Sequence, residues 1–422
     1  MSMSTFMTRR SKPELVTPSR PTPHETKHLS DLDDLLNHHE YTPVVSFFRS
    51  AGAMPEDPAK AIRAALAEAL VYYYPVAGRL RELPGGKLVV DCTEEGVVFV
   101  EAAAELRFAE LGKPLVPPFP CVGELICGNV GDPRVVLGKP LFFMQVNAMD
   151  VSDSNSTSSV LLKLLYGVYA QKVRTNRPAH SVWERELLTA RAPASTTIAG
   201  EVFKPLVEGS GIDDVLYSTP FESLVHRFFH FGPAEIASLR RHVPAHLRRS
   251  CTDFEALTAV TWRCRTAALG YEPHRNVFIC FLCNARGGGG DLLRVPEGYY
   301  GNADLYCVVE ASPHAGVREV HGGLGGVHLR GRRLVFGGVY VVTDVTHVGG
   351  DGLDFGWGEW VGGGVVAPTV ASFHMRCKGA DGEDGVAVSM VLPGAVMERF
   401  EEELAVCLGR HRKKGSLCSL EQ

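Results

Sequence analysis

The chain has 422 residues, 45% of them hydrophobic and 22% charged, with a formal net charge of −5. Lysine and arginine are neither in excess nor clustered, so the composition gives no footprint of a nucleic-acid partner. No apolar run approaches the ~20 residues that cross a bilayer, and the first residues lack the apolar core of a secretory signal. We therefore expect a cytoplasmic protein without a membrane partner, built from two domains.

The 11 cysteines are odd in number and scattered, and several lie in apolar stretches. This pattern is typical of buried reduced thiols. Cys280 and Cys283 form a C-x-x-C pair, but no second cysteine or histidine pair follows at zinc-finger spacing. The pair therefore favours a structural role over a zinc site or a redox centre, and we expect no bound metal.

The first half begins with a proline-punctuated stretch, residues 1–30, which predicts irregular or extended chain. From Pro58 onward apolar residues recur at helical spacing, and Pro75 ends this helix. These apolar positions are Ala59, Ile62, Leu66, Ala69 and Leu70. The β-branched runs at 87–91 and 96–102 predict a hairpin, and 134–146 predicts one strand or a pair of strands.

The pattern changes after Val146. Residues 152–159, SDSNSTSS, are of the types that favour turns and helix caps. Residues 160–172, VLLKLLYGVYAQK, are apolar on nearly all sides and predict a buried helix. A stretch bearing proline, serine, threonine and glycine follows. We therefore interpret 186–210 as a linker between a domain at 1–185 and a domain at 211–422.

The second half mixes helices and strands. Pro233 stands near the first turn of a predicted helix, and Thr252 with Glu255 forms a capping box before a second one. Glycine clusters punctuate the strands, but none has the spacing of a phosphate loop. A last amphipathic helix carries Val396, Phe400, Leu404 and Leu408. Helices and strands in both halves predict an α/β protein.

Several segments, in the same order along the chain, resemble the plant acyl-CoA-dependent acyltransferases called BAHD. The most specific is the string DFGWG, and AALAEALVYYYPVAGRLR at 64–81 is a second. VWERELLTARAP, FEALTAVTWRCRTAAL and NARG are similar to the benzyl alcohol O-benzoyltransferase and taxane acyltransferase branch. The DFGWG string comprises Asp354, Phe355, Gly356, Trp357 and Gly358. The resemblance covers nearly the whole chain.

The resemblance implies a two-domain chloramphenicol-acetyltransferase-like fold with a channel between the domains. Acyl-CoA would enter this channel as a co-substrate, with no bound cofactor, and a small alcohol would accept the acyl group. The branch favours benzoyl or acetyl donors. Nothing in the sequence indicates an oligomer, so we expect a monomer that binds acyl-CoA and its acceptor.

The family that the chain resembles places a general base, in the motif His-x-x-x-Asp-Gly, at the end of a strand in the first domain. A base is needed because an alcohol must lose its proton as it attacks the thioester, and imidazole has a suitable pKa. Counting back from VWERELL puts this base near Ser152. No histidine occurs between His39 and His180. We interpret the catalytic strand and loop as deleted or replaced.

Other groups are weak candidates for the base. Asp150 or Asp153 would need a pKa raised by burial, and the serines around them favour a solvated loop. His347 begins a His-x-x-x-Asp-Gly match with Asp351, but it lies among glycines in the other half of the chain. We interpret His347 as part of a solvent-facing turn, and the catalytic residue stays unknown.

The DFGWG motif is interpreted as structural. If the Asp354 carboxylate is buried between its aromatic neighbours, it needs a cation. The resemblance implies Arg286, from NARG, as the partner. Such a pair would support the channel rather than take part in acid–base chemistry.

Three interpretations of the function stay open at the level of sequence. The chain is an acyl-CoA-dependent O-acyltransferase with reduced activity, or a catalytically dead relative that binds a ligand or partner, or the product of a faulty gene model. Loss of a general base typically costs ~10²–10⁴-fold in rate, so the missing histidine separates the first interpretation from the others.

Overall fold

The computed structural model describes residues 7–34, 41–50, 55–104, 106, 108–111, 115–119, 122–128, 130–132, 135–149, 156–160, 181–189, 197–198, 201–202, 216, 219–220, 223–272, 277–284, 295–311, 339–346, 357–366, 371–379 and 382–409. Within these ranges the strands form two large sheets and two small ones. No helix among these residues is long and apolar enough to cross a membrane.

The strands of the first half, together with the short pair β10 and β11, are β1 (Thr8–Arg10), β2 (Glu14–Val16), β3 (Thr26–His28), β4 (Val44–Ser50), β5 (Arg79–Glu82), β6 (Leu88–Asp91), β7 (Val97–Ala104), β8 (Phe143–Met149), β9 (Ser156–Val160), β10 (Thr197–Ile198) and β11 (Glu201–Val202). Those of the second half are β12 (Leu224–Phe231), β13 (Val277–Asn284), β14 (Asp304–Ala311), β15 (Val339–Asp344), β16 (Gly358–Val365), β17 (Ser372–Lys378) and β18 (Asp384–Pro393).

The helices are α1 (Pro58–Tyr72), α2 (Val122–Leu125), α3 (Pro233–Arg240), α4 (Asp253–Leu269) and α5 (Gly394–Cys407), with 3₁₀ turns at Tyr74–Ala77, Phe108–Leu111 and Arg185–Leu188. In α1 the predicted apolar positions are buried except Ala59, which is partly buried. Helix α1 ends at Tyr72, before Pro75, as the sequence predicts, and Pro75 itself lies in the 3₁₀ turn that follows. In α4 the capping box of Thr252 and Glu255 is confirmed by hydrogen bonds in both directions.

The first large sheet has seven strands, ordered β1, β7, β8, β9, β4 and β16, with β2 also paired to β7. Strands β7 and β8 run parallel, and the other pairs are antiparallel. Helix α1 packs its buried stripe against β7 and β8 to form the main core of this half.

The predicted hairpin between the runs at 87–91 and 96–102 is wrong. Strand β6 pairs with β3 and β5 in a small sheet, whereas β7 lies in the large one. The reversal between them is open, with Glu94 at φ 56° and Gly96 at φ 89°. A side chain at Gly96 would meet the carbonyl of Val16 at 2.5 Å. The chain therefore passes close to the end of β2 and enters a different sheet.

The catalytic strand and loop were interpreted as deleted or replaced, and the structure has a strand after β8 where the sequence predicted none. Residues 156–160, predicted as a turn tract and a helix start, form β9 between β8 and β4. This position tolerates short polar residues because β9 is hydrogen-bonded to a strand on each side. Its backbone groups are therefore satisfied whatever the side chains. Residues 161–172 of the predicted helix lie outside the described ranges.

The second large sheet has six strands, ordered β12, β18, β17, β15, β13 and β14. Helices α4 and α5 cover one face of it, and their apolar stripes form the second core. Val396, Phe400 and Leu404 are buried as predicted, while Leu408 follows the end of α5 and is partly buried. The predicted α/β class is thereby confirmed.

One strand from the second half of the chain belongs to the first sheet. Strand β16 lies in sequence between β15 and β17, two strands of the second sheet, yet it pairs with β4 in the first sheet. Its continuation, β17, returns to the second sheet. The division into domains at 1–185 and 211–422 stays a prediction, and β16 is the element that crosses it.

Candidate active site

The candidate site lies where β9 ends, close to the crossing between the two large sheets. Val160 is opposite Gln145 on β8 and Val45 on β4. Val45 is in turn opposite Gly364 on β16. The end of β9 and the end of β16 therefore lie on either side of β4, at one edge of the first sheet.

Glycines let the second sheet approach this edge. The register of β16 against β4 shifts between Trp360 and Gly362. At Gly363 φ is 141°, and a side chain there would meet the carbonyl of Val45 at 2.2 Å. At Gly364 it would meet Met375 Sδ at 2.7 Å. Glycine fits both places, because the obstacle is a backbone carbonyl at Gly363 and a packed side chain of the second sheet at Gly364.

An apolar cluster joins the halves beside this edge. It contains Val116 from the first half and Phe228, Val365, Phe373 and Met375 from the second, all buried. This cluster gives the site a water-poor wall, in which a polar reaction centre experiences stronger electrostatic interactions than it does in water.

A buried polar network fixes strand β8, the neighbour of β9. Gln145 and Asn147 are fully buried, and Gln145 Nε2 donates to Asn147 Oδ1 at 2.7 Å. Asn147 Nδ2 donates to the Leu125 carbonyl, and Arg10 Nε donates to Gln145 Oε1 at 3.0 Å. The sequence analysis missed this network, although polar residues alternate with apolar ones in FMQVNAM, the signal of a polar strand face.

A second polar cluster ties the first thirty residues to the end of the first half. Arg185, 4% exposed, forms an ion pair with Asp33, Nε to Oδ2 at 2.6 Å. Its guanidinium lies 4.0 Å from the ring centre of Trp183 and 4.8 Å from that of Tyr299. Asp33 also accepts the backbone N–H of Asn302 at 2.8 Å. Segments from both halves thus converge on one arginine.

Most residues predicted for the site fall outside the described ranges. These are Asp150, Ser152, Asp153, Arg286, His347, Asp354, Phe355 and Gly356. Their predicted roles, including the pairing of Asp354 with Arg286, stay predictions. None of the predicted site residues that the structure describes lies at the end of β9.

The last two residues of DFGWG are described. Trp357 packs, partly buried, against the core of the first half. Gly358 is opposite Ser50, at the start of β16. Six residues of strand separate it from Gly364, about 20 Å at the usual rise. This end of the motif lies away from the candidate site, in keeping with a structural role.

His374 on β17 is a buried histidine that lies elsewhere and was not singled out from the sequence. It is 1% exposed, and neither ring nitrogen has a hydrogen-bond partner among the described residues. Burial lowers its pKa to about 4, against an opposing effect of Asp344.

The side chain of His374 points away from the candidate site. Phe373 and Met375 face the cluster between the halves, so His374 faces α4 on the opposite side of β17. There it contacts Phe254 at 5.1 Å between ring centres. His374 is therefore no substitute for the missing base.

A family model described as "Transferase family" matches residues 6–320. Acyl transferase 1 of Oryza sativa subsp. japonica is 42% identical over 97% of this chain and 98% of the relative. Benzyl alcohol O-benzoyltransferase of Nicotiana tabacum is 38% identical over 94% of this chain and 93% of the relative.

The length of the rice alignment is informative. It runs over 480 positions, although the chain has 422 residues. Segments of the relative therefore have no counterpart in this chain, even though the alignment covers almost all of both proteins.

Solved structures agree in fold. Vinorine synthase covers 95% of this chain and 98% of its own, with a TM-score of 0.67 at 18% identity. TRI101 of F. sporotrichioides, solved with coenzyme A and T-2, covers 90% and 97% with a TM-score of 0.58 at 17% identity. The family match, the curated relatives and the shared architecture lead to one conclusion: the chain belongs to the BAHD family of acyltransferases and has their two-domain CoA-dependent acyltransferase fold.

Proposed function

We propose that this chain transfers benzoyl or acetyl groups from acyl-CoA to a small alcohol, slowly, because its base position holds no histidine. The observation that carries the proposal is the end of β9 beside β4 and β16. It combines the strand architecture of an acyltransferase with a sequence that lacks the base. The relatives support the class of reaction, since their names include alcohol acyltransferases and benzyl alcohol O-benzoyltransferases.

The chemistry defines what is lost. The alcohol oxygen attacks the thioester carbonyl, its proton goes to a base, and the same proton then goes to the departing CoA sulfur. If the base follows the strand, its place in this chain comes after Val160, and the next histidine is His180. Binding and orientation of the two substrates still lower the barrier, while loss of the base costs roughly 10²–10⁴-fold.

Asp153 and His347 remain the weak candidates for a replacement. Asp153 precedes Ser156 in the chain, and Ser156 begins β9 at the end away from Val160. Four residues of strand correspond to about 13 Å. We propose that neither Asp150 nor Asp153 is the base and that the residual rate comes from substrate positioning alone.

A specific observation favours a second candidate. The relative from rice has segments without a counterpart in this chain, and β8 leads into polar residues before β9. A protein that keeps the CoA channel but lacks the base would bind acyl-CoA without turnover. The faulty gene model is tested separately, by sequencing the expressed transcript across codons 144–180.

The experiment measures thiol release from benzoyl-CoA and acetyl-CoA, with and without benzyl alcohol, together with calorimetric titration of CoA. Slow alcohol-dependent release with saturable CoA binding supports the proposal. Saturable binding without alcohol-dependent release supports the second candidate. Brisk release contradicts the account of the missing base, and Asp153→Asn and His347→Ala then identify the replacement.

A further inference from the structure

The thiols of Cys264 and Cys407 lie together between the two helices that cover the second sheet. Cys264 is on α4, Cys407 is the last residue of α5, and the two sulfur atoms are 3.5 Å apart. Both residues are buried, at 1% and 4% exposure. They are reduced in the structure.

An arginine completes the cluster. Arg263 Nη2 donates a hydrogen bond to Cys407 Sγ at 2.6 Å, and the Arg263 side chain is exposed. His242 Nε2 lies 2.7 Å from the Cys407 carbonyl, which can only accept, so the imidazole donates and holds the last turn of α5. A cation at one sulfur and a thiol at the other make the two cysteines chemically different.

The direction of this difference is clear. The hydrogen bond from Cys264, and then that from Arg263, lower the pKa of Cys407, while the hydrogen bond to Cys407 and burial raise the pKa of Cys264. Cys407 is therefore the more acidic of the two thiols, and Cys264 is the one that keeps its proton beside it. Low-pKa cysteines next to a second cysteine are the typical sites of reversible oxidation.

We propose that Cys407 is a site of oxidation by hydrogen peroxide and that Cys264 resolves it into a disulfide joining α4 to α5. The Cys407 sulfur attacks one peroxide oxygen, the O–O bond breaks and hydroxide leaves, giving a sulfenic acid. The Cys264 sulfur then attacks the Cys407 sulfur, the S–O bond breaks, and the oxygen leaves as water with the Cys264 proton. Peroxide accepts the two electrons.

The position of the pair explains how peroxide reaches it and what the bond does. Cys407 ends α5, next to Val406, which is 73% exposed, so opening of one helical turn exposes the sulfur. The bond would join cysteines 143 positions apart and hold the C-terminal helix on the second sheet. A dithiol reductant would reverse it. This chemistry is independent of acyl transfer.

The test uses the full chain, reduced, desalted and treated with stoichiometric peroxide. Free thiols are blocked in acid before digestion. Trypsin cleaves after Arg399 and Arg410, and on both sides of the Cys264–Arg265 dipeptide. Mass spectrometry is expected to find peptide 400–410 linked to that dipeptide, with two of the 11 thiols lost. The buried thiols of Cys280 and Cys377, whose pKa values burial raises to about 12, serve as internal controls and stay free.

Two variants divide the proposal into its steps. In Cys264→Ser, Cys407 is expected to stop at the sulfenic acid and to react with a dione reagent. Arg263→Gln is expected to slow oxidation of Cys407 roughly tenfold, because the thiolate loses its cation. If Cys407 is blocked as a free thiol to the same extent as Cys280 in the unmodified chain, the proposal is wrong. Sulfenic acid on Cys407 without linkage in that chain overturns the role of Cys264.

Discussion

Arg185 Nε lies 2.6 Å from Asp33 Oδ2, with the guanidinium stacked among aromatic rings in a nearly dry environment. This one ion pair connects the turn at residues 31–34 with the 3₁₀ turn at Arg185–Leu188. Gly301 lies against it, since a side chain there would meet Arg185 Cζ at 2.4 Å. The pair thus lies where three distant parts of the chain meet.

Arg185→Ala is expected to lower the free energy of unfolding by about 3 kcal/mol, because it leaves the largely buried Asp33 carboxylate without its cation. Arg185→Lys keeps the charge but loses the contact of the planar guanidinium with Trp183. Its free energy of unfolding should therefore lie between those of Arg185→Ala and the unmodified chain. Thermal unfolding followed by circular dichroism measures both. Arg81→Ala, which breaks the exposed pair with Asp91, is the control, and an equal loss there would contradict the prediction.

Gly363→Ala is expected to destabilise the crossing of the two sheets by about 3 kcal/mol, since its φ of 141° and the Val45 carbonyl at 2.2 Å both oppose a Cβ. Gly382→Ala is the matched control. It also has a positive φ, 81°, but an added Cβ there would have nothing within 4 Å, so only the backbone cost of roughly 1 kcal/mol applies. Urea unfolding compares the two variants, and equal midpoints would show that the close approach is not tight.

The pH dependence of stability is expected to reflect His374. Its pKa is about 4 in the fold and 6.5 as the ordinary value, so below pH 6.5 the unfolded chain binds a proton that the folded chain does not. The neutral imidazole therefore contributes on the order of 3 kcal/mol to the free energy of unfolding above about pH 6.5. This contribution is lost as the pH falls toward 4.

His374→Phe removes this titration, so its stability should decline less between pH 6.5 and 4 than that of the unmodified chain. Burial also lowers the pKa of His226 to about 4. In the His374→Phe variant, His226 therefore still causes part of the decrease in stability with falling pH. The exposed His24 supplies the control His24→Gln. An unchanged slope in His374→Phe would mean that the buried imidazole is protonated in the fold.

Sequence reasoning succeeded where local patterns determine structure. The stripe Ile62, Leu66 and Leu70 and the capping box of Thr252 are local signals, and the structure confirms both helices. The DFGWG string identified the family because its residues are specific in combination.

It failed where partners come from distant segments. The runs at β6 and β7 have the composition of a hairpin, but the positive φ at Glu94 and Gly96 directs them into different sheets. Strand β9 has no strand signal of its own, since its pairing with β8 and β4 determines it. The exchange of β16 and the convergence on Arg185 have no local signature either, because both depend on contacts across the whole chain.

The most direct measurement compares this chain with a chimera in which the segment between Val146 and Val182 is replaced by one that carries His-x-x-x-Asp-Gly after the strand. A second chimera with that histidine changed to alanine is the matched control. The rate of alcohol-dependent thiol release from benzoyl-CoA is expected to rise by roughly 10²–10⁴-fold in the first chimera only. Equal rates in the unmodified chain and the first chimera, with both chimeras folded, would contradict the claim that the missing base limits this acyltransferase.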